Sequence, residues 1–172
     1  MLPPGARGRN TPGFASAGAP GTLPGMAYEF RLQRRVEFSE TDAAGIVHFS
    51  NFFRYMEAVE HAFFRSLGYS VMLRDHQPPL GFPRVAAACE YKAPLRFEDV
   101  VELHLLVREK KPRSLSYLVK FTNLSAQPPR EVARGTLTVV CVAKNADGSF
   151  TATPIPRDLA EKIKVAPAEL LA

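Results

Sequence analysis

One stretch, NFFRYMEAVEHAFFRSLG, restricts what this chain can fold into more than any other. Phe52, Tyr55, Met56, Val59, Phe63 and Leu67 recur at helical intervals, so one face of the segment is apolar. Ser50 or Asn51 is the expected N-cap, and Gly68 stands where a left-handed C′ residue ends a helix. No other segment combines this length with such punctuation. Strand-like runs occupy most of what remains: Tyr28–Phe38 before the helix, then Arg84–Tyr91, Asp99–Glu109, Ser114–Asn123, Glu131–Lys144 and Phe150–Pro154. A brief helix over Pro156–Ile163 closes the pattern. Turns between the later runs are short, which favours antiparallel neighbours, because parallel pairing needs long crossovers. The expected class is therefore α+β, an antiparallel sheet on one long helix. That helix is apolar around much of its circumference, so the sheet is expected to wrap it. A layer this thin needs further cover, and a second copy of the chain is the simplest source.

The 172 residues suffice for one domain with a true core. Residues 1–25 are rich in Pro, Gly and Ala and are expected to be a disordered extension, with the domain over 26–172. The formal charge of +5 overstates the domain, since Arg7 and Arg9 lie in the extension and no acid does. The remaining excess, about +3, is a weak signal for nucleic acid, and no basic residues interleave with aromatics on one strand. No window approaches the roughly 18 apolar residues that span a bilayer, and no signal peptide is visible at the start. A cytoplasmic location is the expectation. Cys89 and Cys141 are expected to be buried free thiols, with no metal-ligand spacing around either.

The segment with chemical content is Glu40-Thr41-Asp42-Ala43-Ala44-Gly45-Ile46-Val47-His48-Phe49-Ser50-Asn51. It sets a carboxylate in a small-residue loop just ahead of the long helix. Unpaired N–H groups at a helix start can hold a negative oxygen. An aspartate beside them could attack a carbonyl carbon or deprotonate a water that does. Gly45 would let the backbone approach a substrate closely. By spacing alone, an Asp that only bonds turn amides is the commoner outcome.

RVEFSETDAAGIVHFSNFFRYMEAVEHAFF resembles the signature segment of the hot-dog thioesterases, in particular the 4-hydroxybenzoyl-CoA thioesterase branch. The downstream AACEYKAPLRFEDVVEL resembles the second and third strands of that family. The resemblance runs from Tyr28 to Ile163. It implies an acyl-CoA thioesterase acting on an aromatic (4-hydroxybenzoyl-like) or short- to medium-chain acyl group, with an antiparallel sheet wrapped round one helix. It also implies homo-oligomers, dimers or tetramers, with active sites at the dimer interface. Asp42 stands at the catalytic aspartate, the Phe49 backbone N–H at the oxyanion donor, and Gly45 shapes the turn. No metal or cofactor is implied. Some relatives carry a functional His where Phe49 stands and a Tyr where Phe38 stands; His48 is thus one place out of register and reads as a substrate-pocket residue. Glu57 falls where aromatic-substrate enzymes place an acid facing the acyl group. Its i+4 neighbour His61 could simply pair with it. Glu60 is expected to be solvated, with Arg54 and Arg65 as surface charges. Lys111 and Arg113 match a basic turn that meets the phosphates of coenzyme A, although Pro112 replaces a third basic residue. An acyl carrier protein thioesterase and a non-catalytic acyl-CoA-binding module are the alternatives.

Overall fold

In a computed structural model of the chain, residues 27–172 are described; the expected 1–25 extension lies outside them. In chain order the elements are β1 (Glu29–Arg35), α1 (Ser50–Ser66), β2 (Met72–Leu73), β3 (Leu80–Gly81) and β4 (Arg84–Tyr91). After these come β5 (Val100–Lys111), β6 (Ser114–Asn123), β7 (Arg130–Val140), β8 (Val142–Lys144) and β9 (Phe150–Ala152). Two short helices, α2 (Arg157–Lys162) and α3 (Ala168–Leu171), finish the chain.

The main sheet has the order β1-β5-β6-β7-β4, and every pair in it is antiparallel. A smaller sheet, β2-β3-β8-β9, sits beside it. The run expected to be continuous from Glu131 to Lys144 is split at Cys141, where the chain leaves one sheet for the other. Cys141 N–H there bonds the carbonyl of Arg113 at 2.8 Å instead of continuing a ladder with β6. Cys89 is also less buried than expected, whereas Cys141 is sealed; burial pushes both thiols up to about 11.

Helix α1 lies against one face of the main sheet. Tyr55, Met56, Val59, Phe63 and Phe64 are buried there with Leu103, Leu105, Tyr117, Phe121 and Val139 in one core. Each such side chain contributes about 1.5–3 kcal/mol of burial. Gly135 on β7 sets how closely the helix sits, because a Cβ there would come within 2.3 Å of Met56 Sδ. The helix ends as expected. Gly68 has φ +86°, its N–H meets the Arg65 carbonyl at 3.0 Å, and Tyr69 N–H meets the Phe64 carbonyl at 3.0 Å. That is the doubly bonded Schellman stop. The start differs from expectation: Ser50 is already helical, the preceding Phe49 has helical dihedrals and offers no capping side chain, and the Ser50 N–H donates instead to His48 Nδ1 at 3.4 Å.

On the other face of the sheet, Leu106 and Leu118 pack with Ala166, Leu170 and Leu171 of the C-terminal segment. Strand β4 forms one edge of the main sheet. Its residues are exposed almost throughout, with β7 its only partner among the described residues, and its centre is Val85-Ala86-Ala87-Ala88. An edge of small, uncharged residues is open to strand pairing.

Candidate active site

The loop from Glu40 to His48 closes on itself before α1 begins. Asp42 N–H donates to the Ile46 carbonyl at 2.9 Å, Thr41 bridges Val47, and His48 N–H donates to the Glu40 carbonyl at 2.9 Å. Val47 N–H reaches across to the carbonyl of buried Leu95 at 2.8 Å, which moors the loop to the chain between β4 and β5. At the tip, Gly45 N–H returns to the Asp42 carbonyl at 2.9 Å, with φ +71° at Gly45. A Cβ on Gly45 would meet nothing within 4 Å. Its glycine is therefore set by the left-handed backbone and not by crowding.

Asp42 is half-buried in this loop. Its Oδ1 accepts the Ala44 N–H at 2.8 Å, the turn-amide role that spacing alone would assign it. Oδ2 has no hydrogen-bond partner among the described residues. The same carboxylate that braces the turn thus keeps one oxygen available. Phe49 N–H, at the mouth of the 17-residue α1, also has no acceptor among them. Asn51 and Phe52 N–H, by contrast, are taken up by the carbonyls of His48 and Phe49. One carboxylate oxygen and one helix-mouth amide, carried on the two arms of a single closed loop, are the pieces that attack on a carbonyl needs.

The surroundings are aromatic. Phe38 and Phe49 are 74% and 59% exposed, and Phe38 makes an edge contact with Phe97 at 5.7 Å. Tyr91 OH donates to the Phe49 carbonyl at 3.3 Å. His48 stacks beside Phe49 at 4.5 Å, and its Nδ1 lies 2.8 Å from Ser50 Oγ, so the imidazole is placed at the helix mouth.

Three expected site residues lie elsewhere. Glu57 faces Arg84 Nη1 at 3.3 Å and His61 Nε2 at 3.8 Å, on the wall of a largely apolar cavity of about 520 Å³ between α1 and the smaller sheet. Burial is the main force holding the His61 imidazole below its ordinary range. Lys111 and Arg113 occupy the turn joining β5 to β6; Lys111 Nζ meets Glu109 at 3.0 Å in the open. Lys110 between them and Glu109 turns inward, donating to the carbonyls of Ala160 and Ile163. β5 spans 12 residues, and at about 3.3 Å per residue its ends are roughly 35 Å apart. The Asp42 loop lies at its Val100 end, through Val36 N–H to the Asp99 carbonyl at 2.9 Å, and the basic turn at the other. One chain therefore does not bring them together.

Glu60 corrects the sequence reading. It is 1% exposed and accepts Arg84 Nη2 at 2.7 Å, while its Oε1 and the buried Tyr117 hydroxyl lack hydrogen-bond partners among the described residues. Burial pushes its carboxyl up to about 7 against the pull of Arg84. A second group that sequence reasoning passed over is the Glu40 carboxylate, held by Arg34 and by Tyr55 OH at 2.8 Å. Arg34 offers a faint signal as a cation within a half-buried strand.

The thioesterase-like superfamily model matches residues 36–163, most of the chain. The chain belongs to the thioesterase-like superfamily. The hot-dog architecture and the class of thioester hydrolase expected from the sequence both hold. A protein of Aquifex aeolicus (strain VF5) with a provisional esterase designation is 39% identical over 140 residues, covering 78% of this chain and 98% of that one. The 4-hydroxybenzoyl-CoA thioesterase of Pseudomonas sp. (strain CBS-3) is 26% identical over 91 residues, covering 52% and 64%. Among solved structures, a gentisyl-coenzyme A thioesterase is 33% identical with a TM-score of 0.64, covering 75% of this thioesterase and 98% of that chain. No group of three metal-ligating side chains occurs among the described residues, and none of their helices is long and apolar enough to cross a membrane.

Proposed function

We propose that this thioesterase hydrolyses an acyl-CoA with an aromatic, hydroxyl-bearing acyl group in the cytoplasm, using Asp42 as its catalytic carboxylate. The observation that carries the reading is the free Asp42 Oδ2 set in one closed loop with the unpaired Phe49 N–H. In the proposed mechanism the thioester carbonyl oxygen lies on Phe49 N–H, helped by the positive end of α1. Asp42 then either removes a proton from a water that attacks the carbonyl carbon, or attacks that carbon itself to give a mixed anhydride that a water afterwards hydrolyses to free Asp42 and the acid. Negative charge builds on the carbonyl oxygen, the amide stabilises it, and coenzyme A leaves as the thiolate. The exposed rings of Phe38, Phe49 and Phe97 support an aromatic acyl group, as do relatives named for 4-hydroxybenzoyl and gentisyl thioesters.

The proposed unit is a dimer paired through β4. A two-fold axis makes two identical edge strands run antiparallel. The Tyr91 end of one copy then meets the Arg84 end of the other. Asp42 and Phe49 belong to the Tyr91 end, through the Tyr91–Phe49 hydrogen bond. Arg84, Glu57 and the Lys111–Arg113 turn belong to the opposite end, since Arg84 pairs Val139 and Ser114 pairs Val140. Such a pairing reunites on one substrate what a single chain separates: carboxylate and amide from one copy, phosphate-binding Lys111 and Arg113 and acyl-facing Glu57 from the other. His48, at the helix mouth, then borders the acyl group. Two such dimers could stack into a tetramer.

A panel of acyl-CoAs with a thiol-trapping reagent tests the substrate class. Hydroxybenzoyl and dihydroxybenzoyl thioesters are expected to turn over faster than straight-chain acyl-CoAs of similar size. Equal or faster turnover of the straight chains, or of acyl carrier protein thioesters, would contradict it.

A further inference from the structure

Glu40 is the point at which both arms of the Asp42 loop are fastened. Its carbonyl accepts His48 N–H at 2.9 Å and Asn51 Nδ2 at 2.7 Å, the latter from the first turn of α1. Its carboxylate is tied to three further places. Oε1 takes Arg34 Nη2 from β1, while Oε2 takes Tyr55 OH from the second turn of α1 and Glu37 N–H, each at 2.8 Å. The Arg34 guanidinium also lies over the Tyr55 ring, 4.1 Å from its centre. Asn51 and Tyr55 are buried and one helical turn apart, so a single face of α1 grips this residue at backbone and side chain together. Burial and the adjacent carboxylate push the Tyr55 phenol well above its ordinary range, so it remains a donor at any working pH.

Asp42 follows two residues after Glu40 on one arm, and Phe49 follows one residue after His48 on the other. Glu40 therefore fastens the two arms that carry the carboxylate and the amide. We propose that Glu40, with Arg34 and Tyr55, is a positioning residue for thioester hydrolysis, acting through Asp42 and the Phe49 amide without touching substrate. This rests on the Asp42 reading. Charge-assisted hydrogen bonds into a half-buried carboxylate are the stiff kind, and stiffness is what a reacting geometry requires.

The test compares Glu40→Gln and Tyr55→Phe with the parent enzyme, alone and on an Asp42→Asn background, with melting temperature recorded for each. Displacing a reacting group by about 1 Å can cost 10²-fold, so Glu40→Gln is expected to lower kcat by roughly 10- to 100-fold, with KM nearly unchanged. Tyr55→Phe should lower kcat by several-fold. On the Asp42→Asn background each change should cost clearly less, because only the aim of the Phe49 amide is then left to lose. Should Glu40→Gln fail to fold, Tyr55→Phe carries the comparison. Parental kcat in these folded variants, or a loss undiminished on the Asp42→Asn background, overturns the positioning role. An Asp42→Asn enzyme with parental turnover overturns the reading beneath it instead.

Discussion

The Glu60 carboxylate, 1% exposed on α1, receives Arg84 Nη2 at 2.7 Å from the first residue of the edge strand β4. Burial of that carboxyl outweighs the guanidinium and lifts its pKa from 4.5 to about 7. The folded state thus binds the Glu60 proton more tightly than the unfolded chain does. Stability from this group is complete below pH 4.5, falls as pH rises toward 7, and is flat above. The full effect is on the order of 3 kcal/mol for one proton. In Glu60→Gln this fall should be missing from the difference in melting temperature across pH 4.5 to 7. The same slope in both proteins would mean that the carboxyl titrates normally.

How much of this was legible in the sequence depends on how far each contact reaches along the chain. The body of α1 and its stop at Gly68 were legible, since apolar spacing and a left-handed glycine are local signals. Its start was not: Phe49 carries no capping side chain, and the helix mouth is secured from Glu40, eleven residues before Asn51. Glu60 reads as solvated from the sequence alone. Its partner in the fold is Arg84, 24 residues later, which no helical periodicity reports. Strand β7 looked longer than it is, because apolar residues continue through Cys141 while the ladder does not. The Asp42 segment was legible as a motif. What the motif could not give is that one aspartate oxygen braces the turn and the other stays free.

Gly45 supplies a second prediction. With φ +71° and open space where a Cβ would point, Gly45→Ala strains the backbone without any clash. The left-handed region costs an alanine about 1 kcal/mol, so the melting temperature should fall by only a few degrees. Because the strain is at the tip of the Asp42 loop, kcat should fall more than stability implies. A large loss of stability with normal kcat would place the effect elsewhere.

The proposed exchange between copies yields a mixing experiment. Lys111→Ala with Arg113→Ala should raise KM for acyl-CoA several-fold and leave an acyl-pantetheine lacking the nucleotide unaffected. Combining that chain with an Asp42→Asn chain should restore sites in mixed dimers, one site in each having both its carboxylate and its basic turn intact. A mixture no more active at low acyl-CoA than its separate components would mean that each chain builds its site alone.

The central claim is that Asp42 takes part in the chemical step. Its most direct measurement is single-turnover hydrolysis by Asp42→Asn, an isosteric change that keeps the Oδ1 acceptor for Ala44 N–H. The rate is expected to fall by roughly 10²-fold or more, with acyl-CoA still bound and the melting temperature held. A parental single-turnover rate in the folded variant would contradict the mechanism.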